Sequence, residues 1–290
     1  MSKSGYAFIY DDQLEGRRYE REVSAVEARL TTLELYGRKE SLSLFRSAKQ
    51  IVDHAMRHGV STIVIVGSDR TLDKVMWFLP DLNVTVGYIP VFPPFEVGAL
   101  LGIPMGADAC DVLAARLVET IDVGRCEDRY FLTEVKIINT IASLDIEGQY
   151  RLTPIMGGSI NVKNLAGDFH LGKAPCDAQD GRLEAVITPR LYGARFFRPT
   201  YRNFPFRQFS SAQATETMVL FKNGEIISSD PIDVLVDNHV VNGFRFRLDI
   251  VPKKLKLVTG RERKLSAAAE TVASNKYQSA ARIDALNSMG

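Results

Sequence analysis

Apolar positions in the first third of the chain alternate between two periods. "YAFIY" at 6–10 is a short apolar run closed by Asp11 and Asp12, and it predicts a first strand. A charged helical stretch follows around 17–30, then "ESLSLF", where Leu42 and Leu44 alternate with serines as in a half-buried strand. Ala48, Ile51, Val52, Ala55 and Met56 form an i, i+3, i+4, i+7, i+8 stripe. Ser47 and Gln50 stand at capping-box spacing and Gly59 lies just beyond, so the segment predicts a helix. "TIVIV" at 62–66 is apolar and β-branched throughout, as expected of a parallel strand covered on both faces. Leu72, Val75, Met76 and Leu79 give another helical stripe closed by Pro80, and "VTVGYIP" at 84–90 is the next strand. Strand and helix alternating at this spacing predict a parallel, doubly wound sheet. In such a sheet ligands bind beyond the carboxyl ends of the strands, where "VGSDRT" sits.

From about residue 125 the period becomes two. "NGFRFRLDIV" places Phe244, Phe246, Leu248 and Ile250 on one face and Arg245, Arg247 and Asp249 on the other, and "PIDVLVDNHVV" does the same with Ile232, Val234 and Val236. Asn223-Gly224 and Asn242-Gly243 each stand between such runs, and Asn-Gly is a strong hairpin signal. The expected fold class is therefore α/β plus β: a parallel doubly wound domain over 1–125, a mainly antiparallel β domain over 126–258, and a polar, alanine-rich helical or mobile tail over 259–290.

Composition narrows the function classes. A chain of 290 residues has room for two domains with full cores, and a net charge of +1 argues against a bulk electrostatic grip on nucleic acid or anionic membrane. Cys110, Cys126 and Cys176 form neither a disulfide framework nor a CxxC pair, which suits a reducing compartment. No window approaches the roughly 18 uninterrupted apolar residues of a membrane span, so the expectation is a cytoplasmic protein, with peripheral membrane contact left open.

Segments separated along the chain carry a resemblance. Gly67, Ser68, Asp69, Arg70, Thr71, Leu72, Asp73, Lys74 and Val75 lie over the pattern GGDGTLNEV, and Pro90 to Pro104 lies without a gap over PLGTGNDFARALGIP. "TIDVGRCEDRYFL" at 120–132 looks like iDlgxvngxyFl. "PIDVLVDNHVV" and "IVPKKLKLV" are similar to plpvxlDGExv and vxPkalxvl. Over roughly residues 5–260 the chain resembles the diacylglycerol kinase catalytic family, bacterial lipid kinases related to sphingosine and NAD kinases. The resemblance implies ATP and Mg2+ as cofactors and a nucleotide site at Gly67, Ser68, Asp69, Arg70, Thr71 and Glu96. It also implies a catalytic role for Asp237, with His239 in the third place of the DGE motif.

The departures from that pattern bear on activity. Ser68 and Arg70 replace two glycines whose lack of a side chain lets phosphates reach the backbone. Phe92, Pro93, Pro94 and Phe95 replace the GTGN segment, and a proline has no N–H to offer an oxyanion. Asp11 and Asp12 stand where the family has Asn-Pro, and two carboxylates repel a triphosphate. Asp69 and Thr71 read either as vestigial ligands or as caps of the helix they begin. His239 reads as a general base or as a solvated strand-end residue. Arg70, a cation at a helix N-terminus, calls for an anion, and Glu96 is expected to face it across the cleft with Phe92 or Phe95 packed beside the pair.

Two other features lie outside this pattern. His54 and His58 are spaced as metal ligands can be, but "HAMRH" lacks the zincin glutamate, so no metal is expected. Phe196, Phe197, Tyr201, Phe204 and Phe206, interleaved with Arg195, Arg198, Arg202 and Arg207, suit either a lipid or protein partner surface, a second subunit included, or a loop folded over the second core. Three functions follow. The leading one is a catalytically degenerate lipid kinase relative acting as a binding or scaffold protein. The others are an active ATP-dependent lipid kinase with unusual nucleotide recognition, and a kinase of a soluble metabolite such as NAD.

Overall fold

A computed structural model describes residues 5–43, 47–137, 142–154, 157–166, 176–189 and 216–265. Its first part follows the predicted alternation. Strand β1 (Tyr6–Tyr10) leads to helix α1 (Glu20–Thr32), β2 (Gly37–Ser41), α2 (Ala48–Arg57), β3 (Thr62–Gly67), α3 (Asp69–Met76) and β4 (Thr85–Pro90). The four strands are parallel in the order β4-β3-β1-β2. Strand β3 is buried at every position, as its unbroken apolar run requires. Helix α2 starts at the predicted capping box: Ser47 Oγ accepts from the Gln50 amide and Gln50 Oε1 from the Ser47 amide, both at 3.2 Å. Strand β2 begins earlier than the serine–leucine alternation suggested and ends at Ser41, and residues 44–46 lie outside the described residues.

Short helices α4 (Glu96–Leu100) and α5 (Ala109–Ala115) precede β5 (Val118–Cys126), and from there the pairing is antiparallel. Strands β6 (Arg129–Phe131), β7 (Glu134–Ile137), β8 (Ser143–Ile146), β9 (Tyr150–Leu152), β10 (Ser159–Lys163), β11 (Leu183–Thr188) and β12 (Thr217–Phe221) lead to two long strands, β13 (Asn223–Val236) and β14 (His239–Val258). The whole is one mixed sheet, ordered β12-β11-β10-β7-β13-β14-β4-β3-β1-β2 along its main path. Strand β14 joins its halves. It pairs antiparallel with β13 and β5, then parallel with β4 at Lys256 and Leu257, so the last strand returns to the first core.

The buried side chains form two clusters. One spans β1 to β4 with the helices and the end of β14; the other is built by β6 to β8, β10, β11 and β13 with the first half of β14. Asp122, 1% exposed, sits where they meet. Its carboxylate accepts the amides of Gly181 and Lys253, both at 2.7 Å, and so fixes the irregularity in β14 between Val251 and Leu255.

Two Asn-Gly pairs do not form turns. Asn223-Gly224 opens β13, and Asn242-Gly243 lies within β14 paired with Asp233 and Ile232. The turn between β13 and β14 is Asp237-Asn238, with Asp237 at φ 49°. The two glycines serve close packing instead: a Cβ on Gly224 would sit 2.8 Å from the Asp145 carbonyl, and one on Gly243 3.0 Å from the Phe246 ring. The start of the expected tail is also tied down. Gly260 and Lys264 donate to the carbonyls of Leu101 and Leu100, and Leu265 is buried; residues 266–290 lie outside the described residues.

Candidate functional site: a crevice between two cores

The turn from β3 into α3 lies at the carboxyl end of the parallel strands, as expected. Its polar groups are engaged with one another. The Ser68 amide donates to Thr71 Oγ1 at 2.8 Å and the Asp69 amide to the Pro94 carbonyl at 2.9 Å, while Gly67 O accepts from Val91 at 2.7 Å. The Thr71 hydroxyl in turn donates to Asp11 Oδ2 at 2.7 Å. Lys74 Nζ reaches the same carboxylate at 3.0 Å and Asp12 at 3.2 Å. A side chain on Gly67 would collide with the Thr71 hydroxyl, so the space beside this turn is filled from within. Burial alone would raise the Asp11 carboxyl, but donation from the Gln13 amide, Thr71 and Lys74 holds it below the ordinary carboxylate range.

Asp69 does not cap its own helix. Its carboxylate accepts the Val97 amide at 3.1 Å and the Tyr88 hydroxyl at 3.0 Å, which caps α4 and pins it to β4. Burial still dominates and raises the carboxyl. Thr71 does cap α3, through the Ser68 amide.

The proposed contact between Arg70 and Glu96 is absent: both side chains are exposed and form no ion pair with each other. The reason is geometric. Asp69, one residue earlier, turns inward to take the α4 amide, and Arg70, the next position on the helix, is left facing the crevice. Nor does Phe92 lie beside such a pair; it is buried against Tyr19, ring centroids 4.9 Å apart and nearly parallel.

Across the crevice stands the β13–β14 turn. Asp237 accepts the amides of Leu132, Thr133 and Glu134 at 2.8, 2.8 and 3.1 Å, and the Thr133 hydroxyl at 2.5 Å. Burial raises this carboxyl and the four donors oppose the rise. Such a group anchors the loop after β6, with three donors on Oδ1 and the Leu132 amide on Oδ2. His239 is exposed and its imidazole is held below the usual value by burial and the Arg129 charge.

Two cavities flank this turn. The larger, about 910 Å³, is lined by Arg70, Lys74, Trp77, Arg129, Tyr130 and His239 among others. The smaller, about 420 Å³, includes Asp69, Glu96, Lys136 and Lys163. Arg70, Asp73, Asp237 and Asn238 line both. Thus the structure brings Arg70, Asp237 and His239 to the larger cavity, and Asp69, Arg70, Glu96 and Asp237 to the smaller.

Sequence reasoning missed Asp73, Asn238, Lys74, Trp77 and Arg129. Asn238 donates its amide to the Asp73 carboxylate, from the hairpin tip to α3. Burial, and next the Asp237 charge, push the Asp73 carboxyl up to about 7. Arg129 lies over the Trp77 ring, 5.2 Å from its centroid. One signal was in the sequence: the carboxylates of Asp11 and Asp12 and the lysine at 74 depart from the family pattern together, as a compensating set would.

The aromatic and arginine cluster at 195–207 lies outside the described residues. No helix among the described residues is long and apolar enough to cross a membrane, and none of their His, Cys, Asp and Glu side chains cluster as a metal site.

No family model and no curated protein matches the sequence. Solved structures do. A diacylglycerol kinase from Bacillus anthracis str. Sterne superposes with a TM-score of 0.65 at 16% identity, over 89% of this chain and 97% of that one. A second chain from the same strain, provisionally assigned as a diacylglycerol kinase, gives 0.67 at 14% identity over 89% and 98%. The similarity runs through most of both chains, and this chain has the diacylglycerol kinase fold in a strongly divergent sequence.

Proposed function

We propose that this protein binds a ligand in the crevice of a diacylglycerol kinase fold and has lost phosphoryl transfer. The observation that carries the reading is the use of the Ser68 and Asp69 amides inside the turn, by Thr71 and by the Pro94 carbonyl. A phosphate-binding turn works by presenting such N–H groups to the oxyanion. Pro93 and Pro94 add no donors, and Asp11 and Asp12 set two carboxylates at the end of β1 with one lysine between them. The ATP and Mg2+ that the fold implies therefore fit these residues poorly.

What remains suits a smaller anion. Neither Arg70 nor Arg129 forms an ion pair with a described residue, and both line the larger cavity beside Trp77 and Tyr130. Two guanidinium groups in one cavity, that of Arg129 over the Trp77 ring, match one phosphate or carboxylate on an organic body, whether a lipid headgroup or a soluble metabolite. That same cavity favours the runner-up, an active lipid kinase that holds its nucleotide by side chains.

Radiolabelled phosphate transfer from Mg-ATP to diacylglycerol and sphingoid lipids separates the two. The expected result is no turnover, with no thermal shift by Mg-ATP for the natural protein or for Arg70→Gly, because the amides stay engaged when the side chain is removed. Turnover at ordinary kinase rates would overturn the reading.

A further inference from the structure

We propose that the hydrogen bond from Asn238 to Asp73 is a latch that closes the crevice and keeps its two cavities apart, so that a ligand spanning both requires its release. The proposal rests on the binding reading above for its meaning, though not for its geometry. Asn238 is at the tip of the β13–β14 hairpin and Asp73 is in the middle of α3, 165 positions earlier in the chain. Both residues line both cavities, so this contact stands at their boundary.

The hairpin is built to present that tip. Asp237, with its four donors from residues 132–134, fixes the turn to the second core and leaves the neighbouring Asn238 side chain to reach across. The same turn is held to β7 through Leu235 and Val236, so opening parts the hairpin tip and the second core together from α3, with the Asn238–Asp73 bond as the contact that is lost.

The latch is proton-sensitive because of what surrounds it. The titratable and charged groups that line the two cavities with Asp73 are Asp69, Arg70 and Lys74 on its own helix, Asp237 and His239 on the hairpin, Arg129 on β6, Asp12 after β1, Glu96 on α4, Glu134 and Lys136 on β7, and Lys163 on β10, and of these Asp237 and Asp69 act on its carboxyl. Its carboxyl in the closed crevice titrates near 7, against an ordinary value near 4, with burial and the Asp237 charge as the main causes. The Asn238 bond by itself favours the ionised carboxylate, but burial and the Asp237 charge outweigh it and favour the neutral acid in the closed crevice. Closure therefore binds a proton, and the crevice opens as pH rises through about 7.

The chain's single tryptophan, Trp77, lies in the larger cavity and reports the opening without any ligand. The experiment is acrylamide quenching of Trp77 in the full chain between about pH 5.5 and 8.5, with circular dichroism confirming the fold of each variant. Asn238→Ala is expected to raise the quenching constant about twofold at the acid end, as a population shift from closed to open demands. Natural protein should show the same rise with an apparent midpoint near 7, and Asp73→Asn should make the profile flat. Should Asn238→Ala lose its fold, the pH profiles of the natural protein and Asp73→Asn decide alone. Equal quenching for natural protein and a folded Asn238→Ala, or a pH transition that survives Asp73→Asn and vanishes in His239→Ala, overturns the latch. A latch that behaves as expected in a protein that takes up no phosphorylated lipid or soluble organic phosphate would instead refute the binding reading.

Discussion

Thr71 donates its hydroxyl to the buried carboxylate of Asp11 at 2.7 Å, across sixty positions of sequence. The hydroxyl oxygen also accepts the Ser68 amide, so one side chain links the end of β1 to the turn a phosphate would need. The site is thereby made part of the first core's structure, and its residues answer to stability measurements more than to kinetics.

Asp11→Ala should cost about 1–3 kcal/mol in denaturant unfolding, since Thr71 and the Gln13 amide lose a buried partner and Lys74 keeps only Asp12. The Asp11 carboxyl is held below its ordinary value in the folded chain, so its contribution is present above the ordinary carboxylate value near 4 and lost as pH falls through the lower folded value. The gap between natural protein and variant should narrow in acid; a constant gap at every pH would show that the carboxylate charge plays no part.

Asp73 works in the opposite window. Its carboxyl is raised to about 7 in the fold, so the folded state is favoured below the ordinary value near 4 and loses that stabilisation as pH rises to about 7. Asp73→Asn removes this slope. Thermal melts of natural protein and variant should differ least in mild acid, and the variant should gain relative to natural protein by pH 8.

Asp237→Ala should destabilise the second core by about 3 kcal/mol, because three backbone amides and the Thr133 hydroxyl lose their acceptor together. Asp237→Asn keeps one acceptor oxygen and should recover part of the loss. A variant as stable as the natural protein would return Asp237 to the list of groups free to act on a ligand.

Phe92→Ala should cost about 3 kcal/mol, the range for an aromatic ring removed from a packed site, here with the added loss of its stacking on Tyr19. If the cost in urea unfolding falls below about 1 kcal/mol, the segment over 91–95 does not hold the first core closed as this packing indicates.

The order of elements was legible in the sequence because it depends on neighbours. Unbroken β-branched residues at 62–66, the Ser47–Gln50 capping box and the apolar stripe of α2 each act within a few positions, and each folds as read. The two Asn-Gly pairs were misread for a related reason: a turn propensity is local, but Gly224 and Gly243 answer to a carbonyl and a ring brought close by tertiary packing. Sequence alone also determined what this site lacks, since a side chain in place of a glycine crowds the β3–α3 backbone and a proline at 93 or 94 has no N–H to give in any fold. It could not determine how the remaining groups pair. Whether Arg70 meets Glu96, whether Asp69 caps α3 or α4, and whether Asp73 meets Asn238 depend on ångström-scale placement of segments 26 to 165 positions apart. Only the docking of the β13–β14 hairpin over α3 decides that, because hydrogen bonds form over about 3 Å while sequence patterns record which face is buried and not what lies across it.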